Sequence, residues 1–129
     1  MRILLDTQVF LWLQAEPERL SRRTLALLAD RGNALFLSSA SAWEIAIKHA
    51  LGKLRLPQSP GQYVPRRMAQ SGILGLPIQL SHALRIESLP PHHRDPFDRM
   101  LVAQAQIERM SLLSADPQLA AYQVRLLPL

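Results

Sequence analysis

The chain has 129 residues, 48% hydrophobic and 19% charged, with no cysteine; that suits one domain with a real core, and it excludes disulfides, thiolate nucleophiles and the usual zinc-thiolate sites. Fifteen Lys and Arg stand against ten Asp and Glu, a formal charge of +5, which points to a polyanionic partner. No apolar run approaches the ~20 residues of a membrane span, so the chain reads as soluble. Lysine occurs only at Lys48 and Lys53, and the arginines that make up the rest match phosphate oxygens through their guanidinium forks, although a GC-rich genome would also produce such a bias. The start, Met1-Arg2-Ile3-Leu4-Leu5-Asp6, reaches an acid too soon for a signal peptide. The lack of cysteine fits a reducing cytoplasm.

In chain order, Arg2 to Leu5 is a short apolar run that predicts a strand buried on both faces. A helix from Thr7 to Gln14 follows and is broken at Glu16-Pro17. Ser21 is a candidate cap for a second helix through Leu20, Thr24, Leu27 and Leu28, ending near Gly32-Asn33. Ala34 to Leu37 predicts a second strand. Ser38, Ser39 and Ser41 offer N-caps to a helix through Trp43, Ile47 and Leu51 that Gly52 closes. Between Pro57 and Pro65 the signals conflict, since Pro60 suits a helix start and Pro65 would kink the same helix. Gly72 and Gly75 bracket a turn into a third strand, Leu76 to Leu80, after which Ser81 caps a helix to about Leu89. Pro90 to Arg94 is a loop, and Asp95-Pro96 opens a long helix to Arg109. Leu112 to Ala115 predicts a fourth strand, Asp116-Pro117 a short helix, and Val124 to Leu127 an edge strand. Strands separated by helices imply a mainly parallel sheet with helices on both faces.

Acidic residues recur where apolar runs give way to helices: Asp6 after Ile3-Leu4-Leu5, Glu44 in the helix after Ala34 to Leu37, Asp98 after Asp95-Pro96-Phe97, and Asp116 after Leu112 to Ala115. In an open parallel sheet such points share one rim, where ligands bind. Taken singly, each has a structural explanation. Asp6, Asp95 and Asp116 are candidate N-caps, Asp98 suits a helix's first turn, and Glu44 pairs with Lys48 one turn on. Jointly these explanations weaken, because Asp6 and Glu44 sit in apolar contexts where an unpaired carboxylate is costly. A shared hard cation, Mg²⁺ or Mn²⁺, removes that cost and supplies chemistry on phosphodiesters. The remaining acids lie in polar settings.

Four segments, Leu4-Leu5-Asp6-Thr7, Ser41-Ala42-Trp43-Glu44-Ile45, Asp95-Pro96-Phe97-Asp98-Arg99-Met100-Leu101-Val102-Ala103-Gln104-Ala105 and Leu113-Ser114-Ala115-Asp116, resemble the PIN domain, and within it the VapC-like toxins of bacterial toxin–antitoxin pairs. The resemblance spans the chain in order and spacing. It implies a PIN-like three-layer α/β/α sandwich with a mainly parallel central sheet, a Mg²⁺- or Mn²⁺-dependent endoribonuclease, and a cognate antitoxin that blocks the site. It assigns catalysis to Asp6, Glu44, Asp98 and Asp116, with Asp6, Asp98 and Asp116 as metal ligands. Ser114 matches a small hydroxyl position beside the acids, and Thr7 and Asp95 are supporting residues, Asp95 as the cap. Arg94 and Arg99 are expected to hold RNA phosphate. A homodimer is expected from the family and from apolar helices around Trp12, Trp43 and Leu51.

The histidines form no zinc or nucleophilic set: His49, His82, His92 and His93 read as surface residues, with His92-His93-Arg94 near enough to the acids to touch phosphate. Trp12 and Trp43 read as core or interface, and Leu51, Leu54 and Leu56 as packing. A haloacid-type phosphatase is disfavoured because Gln8 stands where a second acid would follow Asp6, and a receiver domain would need an acidic pair after its first strand. An inactive PIN-like RNA-binding or scaffold module is the alternative from another class.

Overall fold

The computed structural model describes residues 1–129. Its frame is a parallel sheet of β1 (Arg2–Leu5), β2 (Ala34–Ser38), β3 (Ile73–Leu76), β4 (Ser111–Leu113) and β5 (Leu126–Leu127), in the spatial order β3-β2-β1-β4-β5. Every pairing is parallel, and Leu5 at the end of β1 lies opposite Leu37 on one side and Leu113 on the other. Three strands therefore end together on one rim. The helices are α1 (Thr7–Ala15), α2 (Arg22–Ala29), α3 (Ser39–Ala50), α4 (Pro60–Ser71), α5 (Leu80–Arg85) and α6 (Pro96–Glu108).

The strands read as unbroken apolar runs because both faces of the sheet are covered. Side chains alternate across the pleat: Ile3, Leu5, Leu35, Leu37 and Leu113 meet Val9, Phe10, Ile45, Tyr63 and Val64 from α1, α3 and α4. On the other face Leu4 and Leu112 meet Leu101, Val102, Ala103 and Ala105 from α6, with Leu119 and Tyr122. This is the expected three-layer α/β/α sandwich.

Several boundaries differ from the sequence reading. The third strand is Ile73–Leu76, not Leu76 to Leu80, because Pro77 has no N–H to give a ladder; Gly75 sits inside it, opposite Leu37, while Gly72, at φ 66°, closes α4. Helix α5 starts at Leu80, one residue before the Ser81 cap that was expected, and the Gln79 backbone N–H donates to His82 Nδ1 at 2.9 Å. Pro65 does not break α4. The carbonyl it leaves without an N–H partner belongs to Gly61, which is exposed near the helix start and open to water. Helix α2 ends at Ala29, short of Gly32, and Ser21 caps it as expected through the Thr24 N–H at 3.1 Å. Strand β4 stops at Leu113, leaving Ser114 and Ala115 on the rim.

Phe10 is fully buried at the centre of the first core face. Phe10→Ala is expected to cost ~3–5 kcal/mol, read as a lowered midpoint in urea unfolding at unchanged slope.

Candidate active site

Asp6 is the first residue beyond β1. Its backbone N–H donates to the Leu113 carbonyl of β4 at 3.0 Å, so the chain enters the rim still tied to the neighbouring strand. Its carboxylate caps α1, Oδ1 accepting from the Gln8 N–H at 2.9 Å, while Oδ2 accepts from the Ser114 hydroxyl. Ser114 Oγ in turn accepts from the Asp116 N–H at 3.1 Å. Thr7 donates to Ser41 Oγ at 2.8 Å, joining α1 to α3.

Helix α3 is capped by Ser38, whose Oγ accepts from the Ala40 N–H at 2.9 Å, and it carries Glu44 one turn further in. Glu44 Oε2 accepts from Lys48 Nζ at 2.6 Å, whereas Oε1 is buried with no partner. Asp95 caps α6, its Oδ1 accepting from the Phe97 N–H at 2.8 Å and the Asp98 N–H at 3.2 Å. Asp98, in the first turn, stands free of that duty. Asp116 opens a 3₁₀ turn from Pro117 to Ala121, and its Oδ1 accepts from the Gln118 N–H at 2.9 Å. These acids line an open cavity of about 520 Å³ together with Thr7, Gln8, Lys48 and Lys53.

Crowding shows in the charges. Burial, then the charges of Asp6 and Asp95, push the Asp98 carboxyl up to about 7. Burial also raises Asp6, over the opposing hydrogen bonds from Ser114 and Gln8. Asp116 also feels burial, acting upward, but hydrogen bonds from the Gln118 N–H and the His93 ring outweigh it and hold the carboxyl below its ordinary range. The bond to Glu44 pushes the Lys48 ammonium up. One site thus holds Asp6 and Asp98 carboxyls pushed up beside an Asp116 carboxyl held down.

Asp6, Glu44, Asp98 and Asp116 are brought together as expected, with Asp95 beside them. The arginines are not. Arg99 Nη1 donates to the carbonyls of Pro90 at 3.0 Å and His93 at 3.4 Å and to Tyr122 Oη at 3.3 Å, and Nη2 to the carbonyls of Ile86 and Leu89. Its guanidinium is committed to the segment before α6 and to Tyr122, and it does not line the acid cavity. Arg94 lines a separate apolar groove with Trp43 and Phe97, so the cations of the acid cavity are Lys48 and Lys53. Trp43 is not core: it is 60% exposed, edge-on to Phe97 at 5.3 Å. Trp12 is half-buried under the Arg19 guanidinium. Leu54 and Leu56 pack on the core, but Leu51 is exposed.

Two histidines were misplaced by the sequence reading. His82 is fully buried between α5 and α6, with Nε2 3.2 Å from Glu108 Oε2. His93 enters the acid cluster, with Nε2 2.8 Å from Asp116 Oδ2 and 3.2 Å from Asp98 Oδ2. The signal for His93 was its place two residues before the Asp95 cap, which turns the chain back over the cavity.

A parallel sheet between helix layers, with carboxylates gathered where its strands end, defines an α/β protein with an acid-lined ligand site. The PIN domain model matches residues 3–124. The chain belongs to the PIN-domain family. It is 46% identical over 59 residues to Ribonuclease VapC16 of Mycobacterium tuberculosis, a stretch covering 46% of this chain and 42% of that protein. Among solved structures, VapBC2 from Rickettsia felis bound to a DNA fragment from its promoter shares the fold at a TM-score of 0.75 and 13% identity, covering 99% of this chain and 98% of that one. VapBC-1 from nontypeable Haemophilus influenzae aligns with a TM-score of 0.65 at 16% identity over 99% and 98% of the two chains. DNA-bound VapBC from Salmonella typhimurium aligns with a TM-score of 0.68 at 14% identity and the same coverage. No helix is long and apolar enough to cross a membrane.

The raised Asp98 and Asp6 carboxyls make a stability prediction whose sign is fixed. At these two carboxyls the folded chain binds more protons than the unfolded chain above the ordinary carboxyl range, up to about 7 for Asp98, so their contribution to stability without divalent cation falls as pH rises through that window. Thermal melts in EDTA should give a lower midpoint at about pH 8 than at about pH 5. Asp98→Asn, which removes a repelled charge and keeps its shape, should raise the midpoint at the higher pH and flatten the slope.

Proposed function

We propose that the chain is a divalent-cation-dependent endoribonuclease toxin of the VapC kind, one domain over residues 1–129, working in the cytoplasm against RNA and neutralised by a cognate antitoxin. The observation that carries this reading is the imbalance of charge in the acid cavity. The chain's own donors leave Glu44 Oε1 buried and unpartnered, and the Asp98 carboxyl is forced up to about 7. A site of oxygen donors whose negative charge exceeds its internal compensation fits a hard cation, Mg²⁺ or Mn²⁺.

Asp6, Asp98 and Asp116 are the residues to hold that cation, and Glu44 is the further acid of the set. When bound, it would lower the pKa of water and neutralise charge developing on a phosphoryl oxygen. The chain's own part is positioning. Ser114 and the Gln8 N–H hold both oxygens of Asp6, Asp95 commits itself to the start of α6 so that Asp98 is free, and Thr7 fixes α1 against α3. Lys48 and Lys53, at the cavity wall, would meet substrate phosphate in the role expected of Arg94 and Arg99. Hydrolysis at this site would transfer water to phosphorus, leaving 5′-phosphate and 3′-hydroxyl ends. The chain's +5 charge and the names of the relatives support RNA as the polyanion.

For partners, the support is exposed apolar surface. Trp43 on α3 and Leu51 at its C-cap are 60% and 63% exposed, and Leu80 and Leu84, one turn apart on α5, are 75% and 63% exposed, apolar side chains of the kind an interaction face uses when they are contiguous. Self-association into a homodimer and binding of a small antitoxin that reaches the acids both use such surface.

Cleavage of single-stranded RNA should therefore require Mg²⁺ or Mn²⁺, stop in excess EDTA, and leave 5′-phosphates by end-labelling. Asp6→Asn should lose most of the activity, about a hundredfold or more, with the fold retained by circular dichroism. Cyclic 2′,3′-phosphate products, or undiminished cutting with chelator, would refute the assignment. Light scattering should give a dimer mass, reduced to that of one chain by Leu80→Glu with Leu84→Glu if α5 forms the interface.

A further inference from the structure

His93 is fixed at three points. Its backbone N–H donates to Tyr122 Oη at 2.9 Å, its carbonyl accepts from Arg99 Nη1 at 3.4 Å, and its ring Nδ1 accepts from the Asp95 backbone N–H at 3.1 Å. Tyr122 is itself buried, and Arg99 holds the carbonyls of Ile86, Leu89 and Pro90 that lead into the same loop, so the ring does not hang from a free segment. The third contact decides the chemistry. An amide N–H only donates, so Nδ1 carries a lone pair and the ring proton sits on Nε2. That Nε2–H donates to Asp116 Oδ2 at 2.8 Å, and Asp98 Oδ2 stands 3.2 Å from the same nitrogen without a hydrogen bond.

His93, Asp98 and Asp116 offer atoms all within 4.8 Å of one another, a spacing that three ligands of a single ion also have. The hydrogen bonds argue against ligation by the imidazole. For Nε2 to bind a cation its proton would have to move to Nδ1, where it would face the Asp95 N–H, donor against donor. A ligating imidazole gives its second N–H to an acceptor instead.

We infer that His93 is a positioning residue and not a ligand: its Nε2–H holds the Asp116 carboxylate at the side of Asp98, setting the spacing of two acids that would otherwise splay apart, with Arg99 and Tyr122 fixing the loop from which it reaches. The inference rests on the proposed cation site and deepens it. Without a donor between them, the carboxylates separate and the cation loses its preformed pair of oxygens.

Nitrogen-15 NMR of the imidazoles in the full chain reads the tautomer directly. His93 is expected as the Nε2–H form without metal and unchanged at saturating Mg²⁺; an Nδ1–H form in either state overturns the inference. Mn²⁺ titration followed by EPR supplies the second reading. His93→Ala should weaken Mn²⁺ about tenfold, His93→Gln, whose amide N–H reaches the place of Nε2–H, should retain most of the affinity, and Tyr122→Phe should fall between. Equal losses in His93→Ala and His93→Gln, or nitrogen hyperfine coupling from a bound imidazole, overturn the positioning role and leave the cation site standing. Failure of the wild-type chain to bind either Mg²⁺ or Mn²⁺ overturns both.

Discussion

Like charges brought to one rim repel, and the local structure around the cavity answers that repulsion acid by acid. Asp6 has a hydroxyl and an amide, Glu44 has an ammonium on one oxygen, Asp95 has two amides, and Asp116 has an amide and an imidazole. Asp98 receives the least and carries the consequence, its carboxyl standing at about 7. Each of these donors is borrowed from an element that also builds the fold: the caps of α1 and α6, the turn after β4, and the i to i+4 pair of α3. Functional charge is thus held by the same contacts that start helices, which is why the site needs no dedicated scaffold of its own.

The sheet makes this possible. Parallel strands put their carboxyl ends on one side, and the register that sets Leu5 against both Leu37 and Leu113 brings the first residues beyond β1, β2 and β4 to one level. The two apolar faces fix that register, since a one-residue slip would turn Leu4 toward the first core and Ile3 and Leu5 toward the second. Core packing and site geometry are consequently not separable: the burial that holds β1 at the centre is also what desolvates Asp6.

Much of this was legible in the sequence because it is written locally. Uninterrupted apolar runs revealed the buried strands, Ser21, Asp95-Pro96 and Asp116-Pro117 marked helical starts, and acids at those junctions marked the rim. Long-range choices were not. Arg99 follows Asp98 directly and looked available to phosphate, but the carbonyls of the preceding loop, which only folding brings within reach, claim its guanidinium. His82 looked exposed one residue after Ser81, yet the packing of α5 on α6 buries it against Glu108 and Gln104. Pro77 was the one overlooked local signal, since a proline inside the expected third strand argues against that strand.

The hydrogen bond from Ser114 to Asp6 spans 108 residues of sequence. Strand β1 is flanked by β2 and β4, so the pocket is complete only once the C-terminal β4 segment is in place on its other edge. A nascent chain stalled or truncated before Ser114 carries Asp6, Glu44, Asp95 and Asp98 but lacks the hydroxyl that holds Asp6 and the carboxylate of Asp116. Ser114 and Asp116 are thus among the last of the site's residues to leave the ribosome, so no unfinished polypeptide can assemble the full acid set, and the complete cavity exists only on the finished fold.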